Sequence, residues 1–248
     1  MAGMHFLPEE TKRYLAPYDM GLIYTSAQCI EVTDEAEIQS GEEELCLVVL
    51  SGRVNYQCNG KSGSASIKDM LYVPIHTSVT LNGTGTIFRF GAPSARETSF
   101  AYISFAEADA SARHKIYGKE ELGTRRDVWN MIDEEFDSSR FLVGLCQGRS
   151  GGWTAWPPHR HGEAREEVYV YFGMGEGFAL QCVYEDDGTP LVYKVEDGHL
   201  VAICEGFHPN VGCPGSGISY VYCMVSRKAE DREFMDLVTE KKFGERLE

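Results

Sequence analysis

The stretch Gly152-Trp-Thr-Ala-Trp-Pro-Pro-His159-Arg-His161-Gly-Glu-Ala-Arg-Glu166-Glu167-Val-Tyr-Val-Tyr-Phe172 carries most of the information in this chain. Side chains two apart in a strand face the same side, so His159 and His161 project together. Pro157 and Pro158 fix the approach to them and remove two backbone donors. After the short loop Gly162–Glu166 a new strand is expected. On it Glu167, Tyr169 and Tyr171 share one face, and Glu166, Val168 and Val170 share the other. About thirty-five residues later, Gly206-Phe207-His208-Pro209 follows a second apolar run, His199–Ile203. Three imidazoles and one carboxylate suit a divalent transition metal and leave positions open for a ligand. Glu166 stands one residue from Glu167, and spacing alone leaves both carboxylates in play.

Working outward, short apolar runs recur between turn signals throughout the chain, a pattern that reads as an all-β sandwich or barrel. Leu45–Leu50 and Arg53–Cys58 flank Ser51-Gly52, and Asn59-Gly60 is a hairpin signal. The second half repeats this style in Phe141–Cys146, Glu167–Phe172, Phe178–Tyr184, Leu191–Val195 and Ile218–Val225. Asp69-Met-Leu-Tyr-Val-Pro-Ile-His76 matches Gly198–His208 in type, which points to an internal duplication. Two segments read as helical. Pro8–Tyr14 opens with acidic residues, and Glu230–Lys242 spaces Phe234, Leu237, Val238 and Lys241 as one helix face. Residues 106–140 are charged and read as a surface connection.

Composition narrows the function. The 248 residues carry 38 acidic against 23 basic side chains, a net charge of −15. Nucleic-acid binding needs a basic stripe, and an anionic membrane needs a basic face, so both are excluded as partners. An acidic small molecule would need a local cluster of Arg or Lys to overcome the repulsive field. There is no signal-peptide pattern and no run of 18 apolar residues. The eight cysteines lie mostly in apolar strand-like runs with no C-x-x-C pair, as buried reduced thiols of a cytoplasmic protein would.

The pattern G-x6-H-x-H-x5-E at residues 152–167 resembles the first cupin motif, and Ile203-Cys-Glu-Gly-Phe-His208 resembles the second. There Cys204 stands where proline is usual, and the Gly-to-His spacing is one shorter. W-P-P-H-R-H, E-E-V-Y, G-F-A-L-Q-C-V-Y, G-F-H-P and L-V-V-L-S-G-R-V resemble the 5-deoxy-glucuronate isomerases of inositol catabolism, which are related to the 4-deoxy-5-hexulose-uronate ketol-isomerases. The resemblance covers roughly residues 20–226.

This resemblance implies a bicupin: two double-stranded β-helix (jelly-roll) barrels with a few short helices. It implies an N-terminal lobe at 1–105 without metal and a connecting segment at 106–140. A metal-binding lobe at 141–226 and a C-terminal helix at 227–248 follow. The implied ligands are His159, His161, Glu167 and His208, with Glu167 chosen over Glu166 because the family's carboxylate directly precedes a Val-Tyr pair. They would hold one divalent metal per chain, zinc foremost, with Mn, Fe or Ni as other candidates. The implied reaction is aldose–ketose isomerisation of a deoxy-uronate, with a sugar acid as small-molecule partner and a homo-oligomer as a possible assembly. A cupin dioxygenase on the same ligand shell and a non-catalytic sugar-binding cupin are the rival readings.

Candidate substrate contacts are Tyr169 on the Glu167 face, Gln181 as a polar residue in an apolar strand, and Arg165 beside the ligands. No general base is identified. The family's usual Gln-Arg-Val-Tyr becomes Gln181-Cys182-Val183-Tyr184, so an arginine that gripped a carboxylate from position 182 would be missing here.

Overall fold

A computed structural model describes residues 3–244. The Asn59-Gly60 signal closes a hairpin in which Cys58 pairs with Lys61. Long strands Glu43–Cys58 and Ser78–Pro93 run antiparallel at the centre of the first lobe's sheet, flanked by Ser26–Val32 and by Met70–Val73 with Ala101–Ile103. The second lobe's main sheet has seven strands. Arg165–Tyr171 lies between Leu200–Ile203 and Ile218–Ser226, and Phe141–Gly148 continues the sheet outward. A four-stranded sheet containing Ala179–Val183 and Leu191–Val195 is the second lobe's other layer.

Alternation along these strands builds three cores. Leu45, Leu47 and Val49 join one apolar cluster with Val54, Val73 and Leu81 inside the first barrel. Tyr169 and Tyr171 join Val201, Ile203, Tyr220 and Tyr222 inside the second. The opposite faces of the same strands, including Cys46, Val48, Val168 and Val170, meet in the largest cluster between the two lobes. Both faces of the central strands are therefore buried, which is why they read as near-continuous apolar runs.

Three expectations are corrected. Residues 106–140 are not a surface connection. His114–Tyr117 and Arg126–Ile132 are edge strands of the second lobe's main sheet, and Val128, Trp129, Met131 and Ile132 are buried. The first lobe does not own the chain's start, because Gly3–Phe6 pairs with Leu200–Ile203.

The helix expected over Glu230–Lys242 is also absent. Val238–Thr239 instead pairs as a short strand with His159–Arg160, followed by a 3-10 turn at Lys241–Phe243. The backbone of this strap makes local turns, as from Asp236 N to Glu233 O (3.1 Å), and reaches across the site, as in the 2.7 Å bond donated by Glu240 N to Pro158 O. Phe234 and Leu237 have helical spacing but turn into a cavity. The segment's last four residues, 245–248, lie outside the described residues. The first expected helix is present only as the single turn Pro8–Thr11.

Candidate metal centre

Parity along Arg165–Tyr171 separates two adjacent carboxylates. Glu166 points toward the other lobe. It is fully buried and accepts from the backbone N–H groups of Ile23 (2.6 Å), Tyr24 (3.0 Å) and Thr25 (3.0 Å), and from Thr25 Oγ1 (2.9 Å). Glu167 points into the second barrel. Its Oε2 lies 3.1 Å from His161 Nε2 and 3.0 Å from His208 Nε2.

The imidazoles arrive from two places. His159 and His161 come from the short strand His159–Arg160 and the residue after it, and His208 follows a turn after Leu200–Ile203. Gly206 makes that turn at φ +96°, where a Cβ would stand 2.8 Å from Tyr184 O. Candidate ligand atoms of His159, His161 and His208 all lie within 4.8 Å of one another.

Two ring orientations are set by backbone carbonyls. His159 Nδ1 is 3.0 Å from Pro157 O, and His208 Nδ1 is 2.9 Å from Gly206 O. A carbonyl only accepts, so each Nδ1 carries a proton. His208 Nε2 and His161 Nδ1 are buried with no hydrogen-bond partner. Burial, then the neighbouring His208 and His161, holds His159 well below the usual imidazole range. Burial alone would raise the Glu167 carboxyl, but His161 and His208 outweigh it and keep the group ionised. Three clustered imidazoles beside an ionised carboxylate, with buried ring nitrogens of His161 and His208 lacking partners, fit a divalent cation.

His159, His161 and Glu167 line one wall of a cavity of about 60 Å³. Tyr169, Tyr220, Tyr222, Met224, Phe234 and Leu237 are among its other lining residues, so the strap closes part of the space. Burial pushes the hydroxyls of Tyr169, Tyr220 and Tyr222 well above their ordinary value, so they are neutral.

Of the three candidate substrate contacts, Tyr169 lines the cavity and the other two do not. Gln181 is fully buried and its amide is occupied by protein. Its Oε1 accepts from Tyr171 OH (2.6 Å) and Asn210 Nδ2 (2.8 Å), and its Nε2 donates to His208 O (2.8 Å). It therefore braces the His208 backbone. Arg165 sits beside the cluster but donates from Nη1 to Asp236 O at 2.7 Å, locking the strap down. Cys182 alternates away from the barrel interior beside Gln181, so position 182 is not on the cavity wall.

Arg126, whose sequence context allows either a carboxylate-binding fork or solvated surface charge, also lines this cavity. The available signal was parity with Val128, since both pair along Phe141–Gly148 and both line the cavity. Arg125, Arg149 and Arg160 are engaged elsewhere, the first two with Asp127 and the third with Glu185 and Asp186.

Comparison with known proteins agrees with this architecture. The KduI/IolB family model matches residues 14–240. The 5-deoxy-glucuronate isomerase of Shouchella clausii is 28% identical over 239 residues, covering 86% of this chain and 84% of that protein. That of Halalkalibacterium halodurans is 28% identical, with 80% of each chain covered. A crystal structure of an IolB-like protein from Salmonella typhimurium superposes with a TM-score of 0.83 at 22% identity, covering 93% of each chain. Oxalate decarboxylase from Bacillus subtilis gives a TM-score of 0.62 at 11% identity, covering 91% of this chain and 76% of that one, a likeness of cupin fold alone. With the family pattern spanning nearly its whole length, this chain belongs to the KduI/IolB family.

Proposed function

We propose that this protein is a divalent-metal-dependent aldose–ketose isomerase acting on a deoxy-uronate such as 5-deoxy-glucuronate. The observation that carries this reading is the cluster of three imidazoles with an ionised Glu167, two of them with buried partnerless ring nitrogens, at the wall of a tyrosine-rich cavity. The names of the relatives supply the substrate class.

His159, His161, His208 and Glu167 would hold one metal per chain, with zinc foremost and Mn, Fe or Ni also suited to the nitrogen and oxygen donors. When bound, such an ion polarises a carbonyl and acidifies the neighbouring hydroxyl. The protein's own groups orient the sugar and handle its protons. Tyr169, Tyr220 and Tyr222 are neutral at pH 7, and Tyr220 and Tyr222 already donate to Thr154 Oγ1 and Asn130 Oδ1. Glu167 is the single carboxylate lining the cavity among the described residues, so it and the imidazoles are the available proton acceptors. The strap carrying Phe234 and Leu237 limits water around the reacting carbons. Among the described residues no helix is long and apolar enough to cross a membrane. We infer a cytoplasmic enzyme of small-molecule metabolism, with a homo-oligomer as a possible assembly.

The test is metal analysis of the purified protein beside an NMR assay over several uronates. The expected result is about one metal per chain, turnover lost on chelation and restored by metal, and no oxygen consumed. Oxygen uptake without isomerisation would replace this reading with an oxygenase, and sugar binding without turnover with a receptor.

A further inference from the structure

We propose that Arg126 is a carboxylate-binding site in the wall of the cavity that also holds the histidine cluster. That the carboxylate belongs to a sugar acid rests on the function proposed above; that an anion belongs at Arg126 does not. Arg126 is 2% exposed, yet its guanidinium has no carboxylate within ion-pair distance among the described residues. Its Nη1 donates to Thr124 O at 3.1 Å and its Nη2 to Trp156 O at 2.6 Å, both uncharged acceptors. The guanidinium carbon lies 5.3 Å from the centre of the Tyr117 ring.

Two of its five N–H groups are thus used by carbonyls, and the planar fork has donors left for a bidentate partner. Its ionisable surroundings are Cys146, Tyr220, Tyr117 and Tyr169. None of them supplies a negative charge at neutral pH. Burial holds the Cys146 thiol at about 11, and burial raises the three phenols. A buried unpaired charge is costly to keep, so a site that retains one gains most when an anion arrives.

None of the other arginines near the ligands lines this cavity. Arg125, Arg149 and Arg160 are paired with acids, and Arg165 holds the strap. The net charge of −15 repels an anion at long range, which makes one desolvated guanidinium inside the cavity the feature that can select it. Cation and metal-type cluster line the same cavity, so a ligand with a hydroxy-carbonyl at one end and a carboxylate at the other can meet both.

Binding of D-glucuronate and D-glucose to the full-length protein, as purified and after chelation, tests this by titration calorimetry. Wild type is expected to prefer glucuronate by roughly 10- to 100-fold, a preference that survives chelation. Arg126→Gln should bring the two sugars within about twofold, and Arg125→Gln should retain the preference. Arg126→Lys, which keeps the buried charge but not the fork, guards against a folding defect and should lose several-fold of the preference. Equal binding of the two sugars by wild type would overturn the proposal, as would full preference in folded Arg126→Gln or Arg126→Lys. Wild type that prefers glucuronate but isomerises no uronate would sink the proposed function and leave this site standing.

Discussion

Replacing Glu166 by Gln tests whether adjacent carboxylates do separate jobs. The side chain changes by one atom and one charge. Glu166 Oε1 accepts one bond, from Ile23 N, and Oε2 accepts three, from Tyr24 N, Thr25 N and Thr25 Oγ1. The amide of Gln has one oxygen, which is best placed where Oε2 was. Its NH2 then faces the Ile23 N–H, donor against donor, in a fully buried position. The lost charge-assisted bond and the stranded donor together cost about 3–5 kcal/mol. That is a large share of the ~5–15 kcal/mol that holds a typical domain folded. Arg227, whose Nε lies 4.0 Å from Glu166 Oε1, also loses its nearest counter-charge. The assay is urea unfolding of wild type and variant, each with its metal content measured while folded. At a slope of about 3 kcal/mol per M, the midpoint should fall by roughly 1–1.7 M. Metal per folded chain should stay at the wild-type level, because Glu166 faces away from the histidines. A cost below about 1 kcal/mol would refute the latch, since a single ordinary hydrogen bond is worth that much. Loss of metal from folded variant would refute the separation of roles.

Other outcomes can be checked independently. His161→Ala should abolish metal retention through gel filtration, whereas His76→Ala should not, since His76 is an exposed side chain beside Glu42. Gln181→Leu should lower metal affinity by about 10- to 100-fold, measured by competition with a chelating dye, because the brace on His208 is removed while all four ligands remain. The His5–His199 pair, Nε2 to Nδ1 at 2.8 Å, requires a lone pair on one ring. Burial first, with His199 next, lowers His5, and burial lowers His199, so the folded state binds fewer protons than the unfolded one. Their contribution is therefore present above pH 6.5 and lost as pH falls below it toward the depressed folded values. Amide exchange in Gly3–Phe6 should speed up over that window, and His5→Asn should flatten the response.

The strands and the ligand face were legible because one rule governs both. A period of two sets Glu167 with Tyr169 and Tyr171, and the same period buries Leu45, Leu47 and Val49 together. Arg126–Ile132 was illegible because both of its faces are covered. Val128 turns to the cavity while Trp129 and Met131 turn to the inter-lobe core, so no polar alternation survives, and a bulge between Asn130 and Ile132 shifts the register. Missing that strand made Arg126 look like surface charge. The strap failed for the opposite reason. Phe234 and Leu237 have a helix's spacing, but what they cover is a cavity, and local spacing carries no information about a strand partner some eighty residues earlier. Gly3–Phe6 is a still longer case, with a partner nearly two hundred residues away.

The duplication explains why one lobe has the cluster and the other lacks it. Leu45 pairs with Val73 and Gly91, just as Glu167 pairs with Ile203 and Met224, so Leu45 occupies the first lobe's equivalent of the ligand carboxylate. An apolar side chain there commits that barrel to a packed core. The neighbouring position kept its acid in both lobes. Glu44 accepts from Ser139 N (2.8 Å) and Arg140 N (2.7 Å), immediately before the second lobe's strand Phe141–Gly148. Glu166 accepts from residues 23–25, immediately before the first lobe's strand Ser26–Val32. Each lobe thus clamps the segment that leads into the other, through a buried carboxylate whose donors are mostly backbone N–H groups. The clamp in the second lobe sits one residue from Glu167, on the same strand, and the strand Gly3–Phe6 covers the edge of Leu200–Ile203, which leads to His208. Residues 23–25, which lead into the first lobe, therefore brace the strand that carries Glu167, and the N-terminal strand covers the one that leads to His208. Excising residues 141–248 would remove the clamp's donors and the covering strand together, so the cluster is a property of the whole chain.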